Sequence, residues 1–450
     1  MKKIYKNLEN FSGFLPNFSY FLSSNVISYF FSFFIIVIFA RNYSSQAFGE
    51  FTIAQTVFFL IYSVSFSNIH YYLNKSLSLK FQNRRKDIAS CFLITFYSSI
   101  ALYLLIAFIL TFLNIKQELK YLILILNLIL LSEPFSVFYS ELFVRGQFKL
   151  IFKIRFFQTA IFFFIKLYII FNDYSYLFLA LSYFLENLLF SIIIIYFFKE
   201  NGNKFKNLIF SKKHTILILK KIILFPLLAF VILVSMRIDV LMISNLLGSD
   251  EAGYYSSVSR IITIILLFGT HFFQFIYPNL NRIIPDTQKF NNIYQNLVLI
   301  SFSGGLFFYL MSIFFGEMYL NLFGTDFILA LNSLKILSLN IGIALTINLW
   351  VHKQYVQSNY TEILVFQTLT IFLNITLNYY LISIFGINGA SLATVGSAFI
   401  SIMVVNLMNP REIYLIFSSF SISKQKQLAN AILKIIFVNK NPDKLDKIKD

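Results

Sequence analysis

The chain has 450 residues, of which 58% are hydrophobic and only 13% are charged, and its mean hydropathy is +0.73. Soluble domains are closer to half apolar and a quarter charged, so this composition excludes a soluble globular protein. The net charge of +17 would fit a nucleic-acid-binding surface only on such a soluble protein. The single cysteine, Cys91, excludes an intrachain disulfide and a zinc cluster built on several thiolates.

Apolar blocks of about 20 residues, the length needed to cross roughly 30 Å of hydrocarbon, recur along most of the chain. They predict twelve transmembrane spans, at 19–40, 51–73, 90–113, 121–144, 156–172, 176–198, 222–247, 254–278, 297–320, 330–352, 362–382 and 388–410. The connections on the predicted outward side are short, so no large extracytoplasmic domain is expected. This pattern is typical of an all-α polytopic membrane protein.

Lysine and arginine are distributed unevenly between the two sides of these spans. With the amino terminus inside, thirty of the 37 fall in inward segments, and only Arg41, Lys116 and Lys120 fall in outward loops. Such a bias predicts that both termini lie in the cytoplasm. Membrane insertion therefore accounts for the positive charge, and no nucleic-acid partner is expected.

The longest inward connection, 199–221, divides the spans into two sets of six. We therefore predict an amino-terminal six-helix half at 1–210, a carboxy-terminal six-helix half at 211–410 and a basic cytoplasmic tail at 411–450. The tail is basic and amphipathic, which predicts that it lies along the inner leaflet.

A weak internal repeat supports the two halves. The stretch "YSSQAFGEF" follows the first span and "LGSDEAGYY" follows the seventh, which aligns Ser45 with Ser249 and Gly49 with Gly253. Each half holds an even number of helices, so the two copies share one orientation, as in repeats related by an axis along the membrane normal. The predicted fold is therefore two six-helix bundles related by pseudo-two-fold symmetry around a central cavity.

Ionisable side chains fall within the predicted spans, where a charge costs roughly 2.5–3.5 kcal/mol at the membrane centre. In the amino half, Glu133 lies at mid-depth beside Pro134, which weakens the helix by removing a backbone hydrogen bond. Lys166 and Glu186 fall at mid-depth in consecutive spans and could form an ion pair. His70, near the inner end of its span, is interpreted as an interfacial anchor, with a proton-relay role as the alternative.

The carboxyl half carries Arg237 and Asp239 in span seven and Arg260 in span eight. These spans form an antiparallel hairpin, so Asp239 and Arg260 reach similar depths and could pair. Arg237 and Asp239 are two positions apart, about 200° around a helix, and cannot both face one neighbour. Each pair is either structural or part of a polar cavity lining, and the number of such groups in both halves favours a cavity.

Sequence motifs of common enzymes are missing. There is no G-x-x-x-x-G-K-[ST] phosphate loop, no H-E-x-x-H and no G-x-S-x-G. We therefore expect neither an enzyme nor a metal or cofactor site.

The stretch "RIDVLMISNLLGSDEAGYYSSVSRI" resembles the seventh and eighth helices of the Wzx-type polysaccharide and O-antigen flippases. These belong to the multidrug/oligosaccharidyl-lipid/polysaccharide exporter superfamily, which also contains the MATE exporters. The resemblance rests on a basic residue and an aspartate, here Arg237 and Asp239, followed by a loop that ends in Gly253-x-Tyr255. Four further segments agree in order and spacing: "ARNYSSQAFGEF", "FVRGQFKLIFKIR", "LFGTDFILALNSLKILSL" and "LNYYLISIFGINGASLATVGS".

The resemblance implies an alternating-access flippase for undecaprenyl-pyrophosphate-linked oligosaccharide in the bacterial cytoplasmic membrane. It would serve assembly of lipopolysaccharide O-antigen, capsule or another surface polysaccharide, with H+ or Na+ as coupling ion and a polymerase and chain-length regulator as partners. Arginine suits a pyrophosphate because its guanidinium stays charged and offers forked donors. The candidates for binding the headgroup are Arg41, Lys166, Arg237 and Arg260, with Lys166 added for its depth alone. The candidates for ion coupling are Glu133, Glu186 and Asp239.

Three alternatives stay open. A flippase for the peptidoglycan precursor lipid would need a strongly cationic cavity in the first helices, whereas the first two spans have only Arg41, at an edge. A MATE-like exporter of small organic compounds would need an acidic cavity to hold a cation, whereas the deep side chains comprise three of each sign, which favours an anionic cargo. A multi-span polysaccharide polymerase usually carries a large outward loop for sugar chemistry, and none of the predicted outward loops is long enough.

Overall fold

The computed structural model describes residues 27–66, 69–79, 84–200, 208–283, 287–357, 360–407 and 417–421. Within these residues the regular structure is helical, and no β-strand occurs. The predicted basic tail lies outside the described residues except for 417–421, and so do residues 19–26 of the first predicted span.

The described α-helices follow one another through short turns. They are α1 (Ile27–Asn42), α2 (Ser45–Val64), α3 (Ile69–Leu79), α4 (Arg84–Phe112), α5 (Gln117–Asn127), α6 (Ile129–Ser136), α7 (Tyr139–Val144), α8 (Phe148–Phe171), α9 (Tyr176–Glu200), α10 (Lys212–Ile222), α11 (Leu224–Leu246), α12 (Ser249–Ile283), α13 (Thr287–Asn321), α14 (Leu331–Gln357), α15 (Tyr360–Phe385) and α16 (Ile387–Leu407). A 3-10 helix at Thr325–Ala330 precedes α14.

Among the described residues, eleven helical stretches are long and apolar enough to cross a membrane, and α1 is a shorter apolar helix. These segments match the twelve predicted spans in order, which confirms an all-α polytopic membrane protein. Several helices begin earlier than predicted, such as α4 at Arg84 and α12 at Ser249. The reason is that polar first turns extend a helix beyond its apolar block.

Two predicted spans are not continuous helices. The second, 51–73, is divided into α2 and α3 at Phe66, whose φ of 61° lies in the left-handed region. The fourth, 121–144, is divided into α5, α6 and α7, with Pro134 inside α6. Beyond the proline, Val137 donates its backbone N–H to the carbonyl three residues back at 3.4 Å, as in a 3-10 turn. Broken helices are tolerated at membrane depth only where protein or a water-filled cavity surrounds the freed backbone groups.

The chain forms two compact units. The first comprises residues 1–256 and 321–326, and the second comprises 257–320 and 327–450. The first unit thus includes α11, the seventh predicted span, while the predicted boundary at residue 210 stays a prediction. In the second unit, α14, α15 and α16 pack together around the buried Trp350.

The core of the first unit contains a short helix from the predicted linker between the halves. Helix α10 packs on α4 through Ile218 and Ile222, which are both buried. At the same contact, His214 Nε2 lies 2.6 Å from Asp87 Oδ1. The end of the predicted linker is therefore part of the folded first unit.

The two copies of the predicted repeat contact each other at the amino-terminal ends of α2 and α12. Ser45 Oγ donates a hydrogen bond to Asp250 Oδ1 at 2.5 Å. A Cβ atom on Gly49 would overlap the Ser249 carbonyl, and one on Gly253 would lie 3.0 Å from the Ser45 carbonyl oxygen. Equivalent residues of the repeat therefore make reciprocal contacts, Gly49 with Ser249 and Gly253 with Ser45, at which the two backbones lie too close for a larger side chain to fit without a shift.

Gly49→Ala is expected to destabilise the protein by about 1–3 kcal/mol, because the added methyl group meets backbone atoms that cannot rotate away. Gly304→Ala in α13 is the matched control, since nothing lies within 4 Å of its Cβ position. Alanine there should stabilise the helix by about 0.5–1 kcal/mol. Thermal unfolding in detergent should give a lower midpoint for the first variant only. Equal midpoints for Gly49→Ala and wild type would contradict the close packing of α2 and α12.

Candidate functional site

Two neighbouring cavities lie among the helices of the first unit. The first cavity has a volume of about 230 Å³, and its polar lining residues are Tyr62, His70, Ser132, Glu133, Ser136, Tyr139, Arg155, Asn187 and Ser191. The second cavity has a volume of about 240 Å³, and its polar lining residues are Ser28, Tyr29, Ser32, Arg155, Thr159, Lys166, Tyr183, Glu186 and Asn187. The cavities adjoin at Arg155 and Asn187, which line both.

The predicted ion pair between Lys166 and Glu186 forms at the second cavity. Lys166 Nζ donates a hydrogen bond to Glu186 Oε2 and lies 3.6 Å from the centre of the Tyr183 ring. Because Lys166 is only 5% exposed, the carboxylate and the ring together compensate the cost of burying its charge. The pair joins α8 to α9 and also borders the cavity, so it combines the two roles left open by the sequence.

Arg155, which the predicted spans place in an inward loop, lies within α8 and lines both cavities. Its guanidinium carbon lies 3.6 Å from the centre of the Phe190 ring. No carboxylate oxygen of the described residues lies within 4.0 Å of its nitrogens. Arg155 and Lys166 are eleven positions apart, about three helical turns, so they project from one face of α8. That spacing is the sequence signal that could have revealed Arg155.

Glu133 borders the first cavity at the broken fourth span. Its carboxylate accepts hydrogen bonds from the Ser136 hydroxyl at 3.0 Å and from the Tyr62 hydroxyl. His70 Nε2 lies 3.9 Å from Glu133 Oε1 and 3.0 Å from Ser136 Oγ. The other ring nitrogen, Nδ1, lies 2.9 Å from Ser140 Oγ. The interpretation of His70 as an interfacial anchor is therefore wrong, because hydroxyl groups hold its ring beside a carboxylate in the cavity.

Arg237 and Asp239 face different neighbours from α11, as predicted. Asp239 is buried and accepts a hydrogen bond from the Tyr255 hydroxyl at 2.8 Å. The half-buried Arg237 places its guanidinium carbon 5.2 Å from the centre of the Phe59 ring of α2. Asp239 therefore has a hydrogen-bonded neighbour on α12, while Arg237 is directed toward α2.

The other two predicted headgroup residues do not line the two cavities. Arg41 is exposed at the end of α1. Arg260 belongs to the second unit and is half-buried in α12, within electrostatic reach of the Tyr319 hydroxyl. Of the seven predicted site residues, the structure brings three together at the adjoining cavities: Glu133, Lys166 and Glu186.

A buried carboxylate with two arginine partners follows Ser140 in the chain. Glu141 of α7 is fully buried. Its Oε2 atom accepts a hydrogen bond from Arg84 Nε at 2.8 Å, and its Oε1 atom accepts one from Arg145 Nε at 2.7 Å. This cluster fixes the start of α4 to α7, and hence the position of the segment that carries Ser140.

The two cavities have the chemistry to hold a phosphate-bearing group. Arg155 and Lys166 supply positive charge among apolar helices, where electrostatic attraction is stronger than in water. Each cavity is smaller than the roughly 300–1,000 Å³ of sites that enclose a small ligand, so each suits a headgroup fragment rather than a whole oligosaccharide. Among the described residues, no group of three or more His, Cys, Asp or Glu side chains could hold a metal ion.

A family model described as "Polysaccharide biosynthesis protein" matches residues 14–284, more than half of the chain. The chain belongs to the polysaccharide biosynthesis protein family. This finding confirms the resemblance to polysaccharide flippases. The matched range includes the residues that line both cavities and every predicted site residue of this chain. No curated protein matches the chain.

Solved structures of membrane transporters share the fold of this family member. The lipid II flippase MurJ, in an inward closed conformation, matches with a TM-score of 0.67 and 17% identity, over 94% of this chain and 92% of that chain. An inward-facing multidrug resistance MATE family transporter of the MOP superfamily matches with a TM-score of 0.66 and 12% identity, over 88% of this chain and 96% of that chain. A MOP superfamily transporter from Pyrococcus furiosus matches with a TM-score of 0.56 and 11% identity, over 89% of this chain and 93% of that chain.

These solved structures have a twelve-helix, two-lobe fold, which is the fold predicted from the sequence. Their identities to this chain are low, so they establish the fold alone. Together with the family match, the fold identifies the chain as a multi-pass membrane protein of the transporter and flippase type.

Proposed function

We propose that this family member is a flippase that moves undecaprenyl-pyrophosphate-linked oligosaccharide from the inner to the outer leaflet of the bacterial cytoplasmic membrane. The lipid-linked units would serve assembly of O-antigen, capsule or another surface polysaccharide. The observation that carries the proposal is the placement of two cations, Arg155 and Lys166, on one face of α8 in adjoining cavities. Guanidinium and ammonium groups bind phosphate oxygens through charge-assisted hydrogen bonds.

Arg155 is the first contact of the diphosphate in this proposal. Lys166 already donates to Glu186, whereas no carboxylate oxygen of the described residues lies within 4.0 Å of the Arg155 nitrogens, and the Phe190 ring packs against its guanidinium. A diphosphate between the two side chains would bond to Arg155 and share Lys166 with the carboxylate. The cavities are too small for the sugars, so the oligosaccharide must occupy other space, and the prenyl tail can stay in lipid.

The remaining predicted residues have secondary roles in this proposal. Further contacts to the headgroup, at other stages of alternating access, come from Arg41, Arg237 and Arg260. The carboxylates proposed for ion coupling are Glu133, Glu186 and Asp239. Both termini are proposed to lie in the cytoplasm, and a polymerase and a chain-length regulator would receive the product on the opposite side.

Reconstitution of the purified protein into lipid vesicles tests the proposal. Lipid-linked oligosaccharide is placed in one leaflet, and lectin binding measures its arrival in the other leaflet. We expect transfer in vesicles that contain the protein and none in protein-free vesicles. Export of an organic cation without transfer of the lipid-linked sugar would instead support a MATE-like exporter.

Arg237→Ala and Arg260→Ala are each expected to lower the transfer rate by about tenfold or more, because a charge-assisted hydrogen bond contributes roughly 1.5–3 kcal/mol. The rate is measured in the same vesicles, with equal amounts of each variant confirmed by immunoblot. A transfer rate equal to that of wild type would remove the substituted residue from the headgroup site.

A further inference from the structure

We propose that the coupled ion is a proton, that it binds to the Glu133 carboxylate, and that Ser136 and His70 pass it to and from that carboxylate. The proposal rests on the flippase function proposed above and adds the identity of the ion and its path. Its basis is a chain of hydrogen bonds along the border of the first cavity, in which every link measures 2.9–3.0 Å.

The hydrogen bonds of this chain all run toward the carboxylate. The Ser136 hydroxyl donates to Glu133 Oε1 at 3.0 Å. Because this hydroxyl has a single hydrogen, it must accept the bond that it shares with His70 Nε2. The neutral His70 ring therefore carries its hydrogen on Nε2, and Nδ1 accepts from the Ser140 hydroxyl at 2.9 Å.

A proton can reach Glu133 along this chain of hydrogen bonds, because each bond to hydrogen that breaks is replaced by a new one. Hydronium gives a proton to Nδ1 of His70 and becomes water, as the Ser140 hydroxyl turns to accept a bond. The Nε2–H bond then breaks as a new O–H bond forms on Ser136, and the former Ser136 proton bonds to Glu133 Oε1. One proton has entered and one has been delivered, so His70 is again neutral with its hydrogen on Nδ1. The reverse transfer releases the proton.

The surroundings of Glu133 suit a proton better than a metal cation. Hard cations such as Mg²⁺ and Ca²⁺ are held by about six or more oxygen ligands. Here the carboxylate instead meets hydrogen-bond donors, namely the hydroxyls of Ser136 and Tyr62 and the nearby ring of His70. The guanidinium of Arg155 lines the same cavity and would repel a metal cation. A proton needs only one carboxylate oxygen.

Protonation of Glu133 is linked to anion binding through Arg155 in the first cavity. An ionised Glu133 offsets part of the guanidinium charge, whereas a protonated Glu133 does not. An anion therefore binds more tightly to the protonated form, and by reciprocity anion binding favours proton uptake. The other titratable groups of this cavity, Tyr62 and Tyr139, are phenols and carry no charge in their ordinary protonated form.

Calorimetric titration of the detergent-solubilised protein with inorganic pyrophosphate tests this linkage. Titrations in buffers of different ionisation enthalpy count the protons taken up with each bound anion. For each pyrophosphate bound, wild type should take up as much as one proton more than Glu133→Gln, which has no acid to protonate at this position. As the pH rises, the affinity of wild type for pyrophosphate should therefore fall by up to about tenfold per pH unit relative to that variant. The comparison also removes protons that bind to pyrophosphate itself.

The exposed Glu118→Gln is the matched control and should behave as wild type. Equal proton uptake by wild type and Glu133→Gln would overturn the proposal, and so would a wild type that binds no pyrophosphate.

Infrared spectroscopy after a pH jump tests the path through His70. The carboxylic acid band of Glu133 is assigned by its absence from Glu133→Gln. His70→Gln should slow the appearance of this band by about tenfold or more and leave its final amplitude unchanged, because the relay is lost while the carboxylate remains. His214→Gln, whose histidine contacts Asp87, is the matched control and should keep the wild-type rate.

Ser136→Ala interrupts the same path at a second point and should slow the appearance of the carboxylic acid band in the same way. Wild-type rates in both His70→Gln and Ser136→Ala would overturn the relay. In the vesicle assay, transfer driven by a sodium gradient and indifferent to a pH gradient would overturn the proton while leaving the flippase function intact. No transfer by wild type under any gradient would overturn both proposals.

Discussion

Arg155→Ala is expected to lower the transfer of lipid-linked oligosaccharide in vesicles by about a hundredfold. Arg155 lines both cavities, and among the described residues no carboxylate oxygen lies within 4.0 Å of its nitrogens. Its loss removes a forked donor set for phosphate oxygens, and a hundredfold loss corresponds to about 2.7 kcal/mol, within the range of hydrogen bonds to charged groups. The measurement is the initial transfer rate at equal protein density.

Two variants show whether the effect belongs to the guanidinium. Arg155→Lys keeps the positive charge but loses the fork, so it should fall between wild type and Arg155→Ala. Lys153→Ala removes an exposed cation two positions away on the same helix and should transfer at the wild-type rate. Equal rates for Arg155→Ala and Lys153→Ala would contradict a role of the cavity cation.

Glu141→Ala is expected to destabilise the protein by about 3–5 kcal/mol and to reduce its amount in the membrane. Glu141 is fully buried, and it accepts hydrogen bonds from Arg84 and Arg145. Removing this carboxylate takes away the charge of Glu141 that offsets the burial of Arg84, whose side chain is only 19% exposed. The midpoint of thermal unfolding in detergent measures the loss.

Arg145→Ala is the matched test of this cluster. Its side chain is 36% exposed, and Glu141 keeps Arg84 as a partner, so the expected loss of stability is about 1 kcal/mol or less. An equal drop in the unfolding midpoint for the two variants would mean that burial of the carboxylate does not set the cost.

The number, order and character of the helices could be predicted because hydrocarbon imposes length and apolarity on every span. The breaks within spans were only partly predictable. Pro134 marks the break in the fourth span, since it lacks the N–H that a continuous helix needs. The break at Phe66 has no such signal, because phenylalanine rarely adopts a positive φ and tertiary packing must impose it.

The candidate site could be predicted only where an ionisable residue lay deep within an apolar block. Lys166 and Glu186 met this condition, and their ion pair forms. Arg155 was missed because the apolar block begins one residue after it, although α8 itself begins at Phe148. His70 was interpreted as an anchor because its depth alone does not report the hydroxyl groups of Ser136 and Ser140, which come from a distant part of the sequence.

Native mass spectrometry of the protein purified from cells that make the lipid-linked oligosaccharide tests most directly whether the cavities of the first unit hold a diphosphate lipid. We expect wild type and Lys153→Ala to retain a species with the mass of undecaprenyl pyrophosphate plus sugars, and Arg155→Ala to lose it. Retention by Arg155→Ala at the wild-type level, or a wild type that carries no diphosphate lipid and binds an organic cation instead, would contradict the assignment of these cavities to the lipid headgroup.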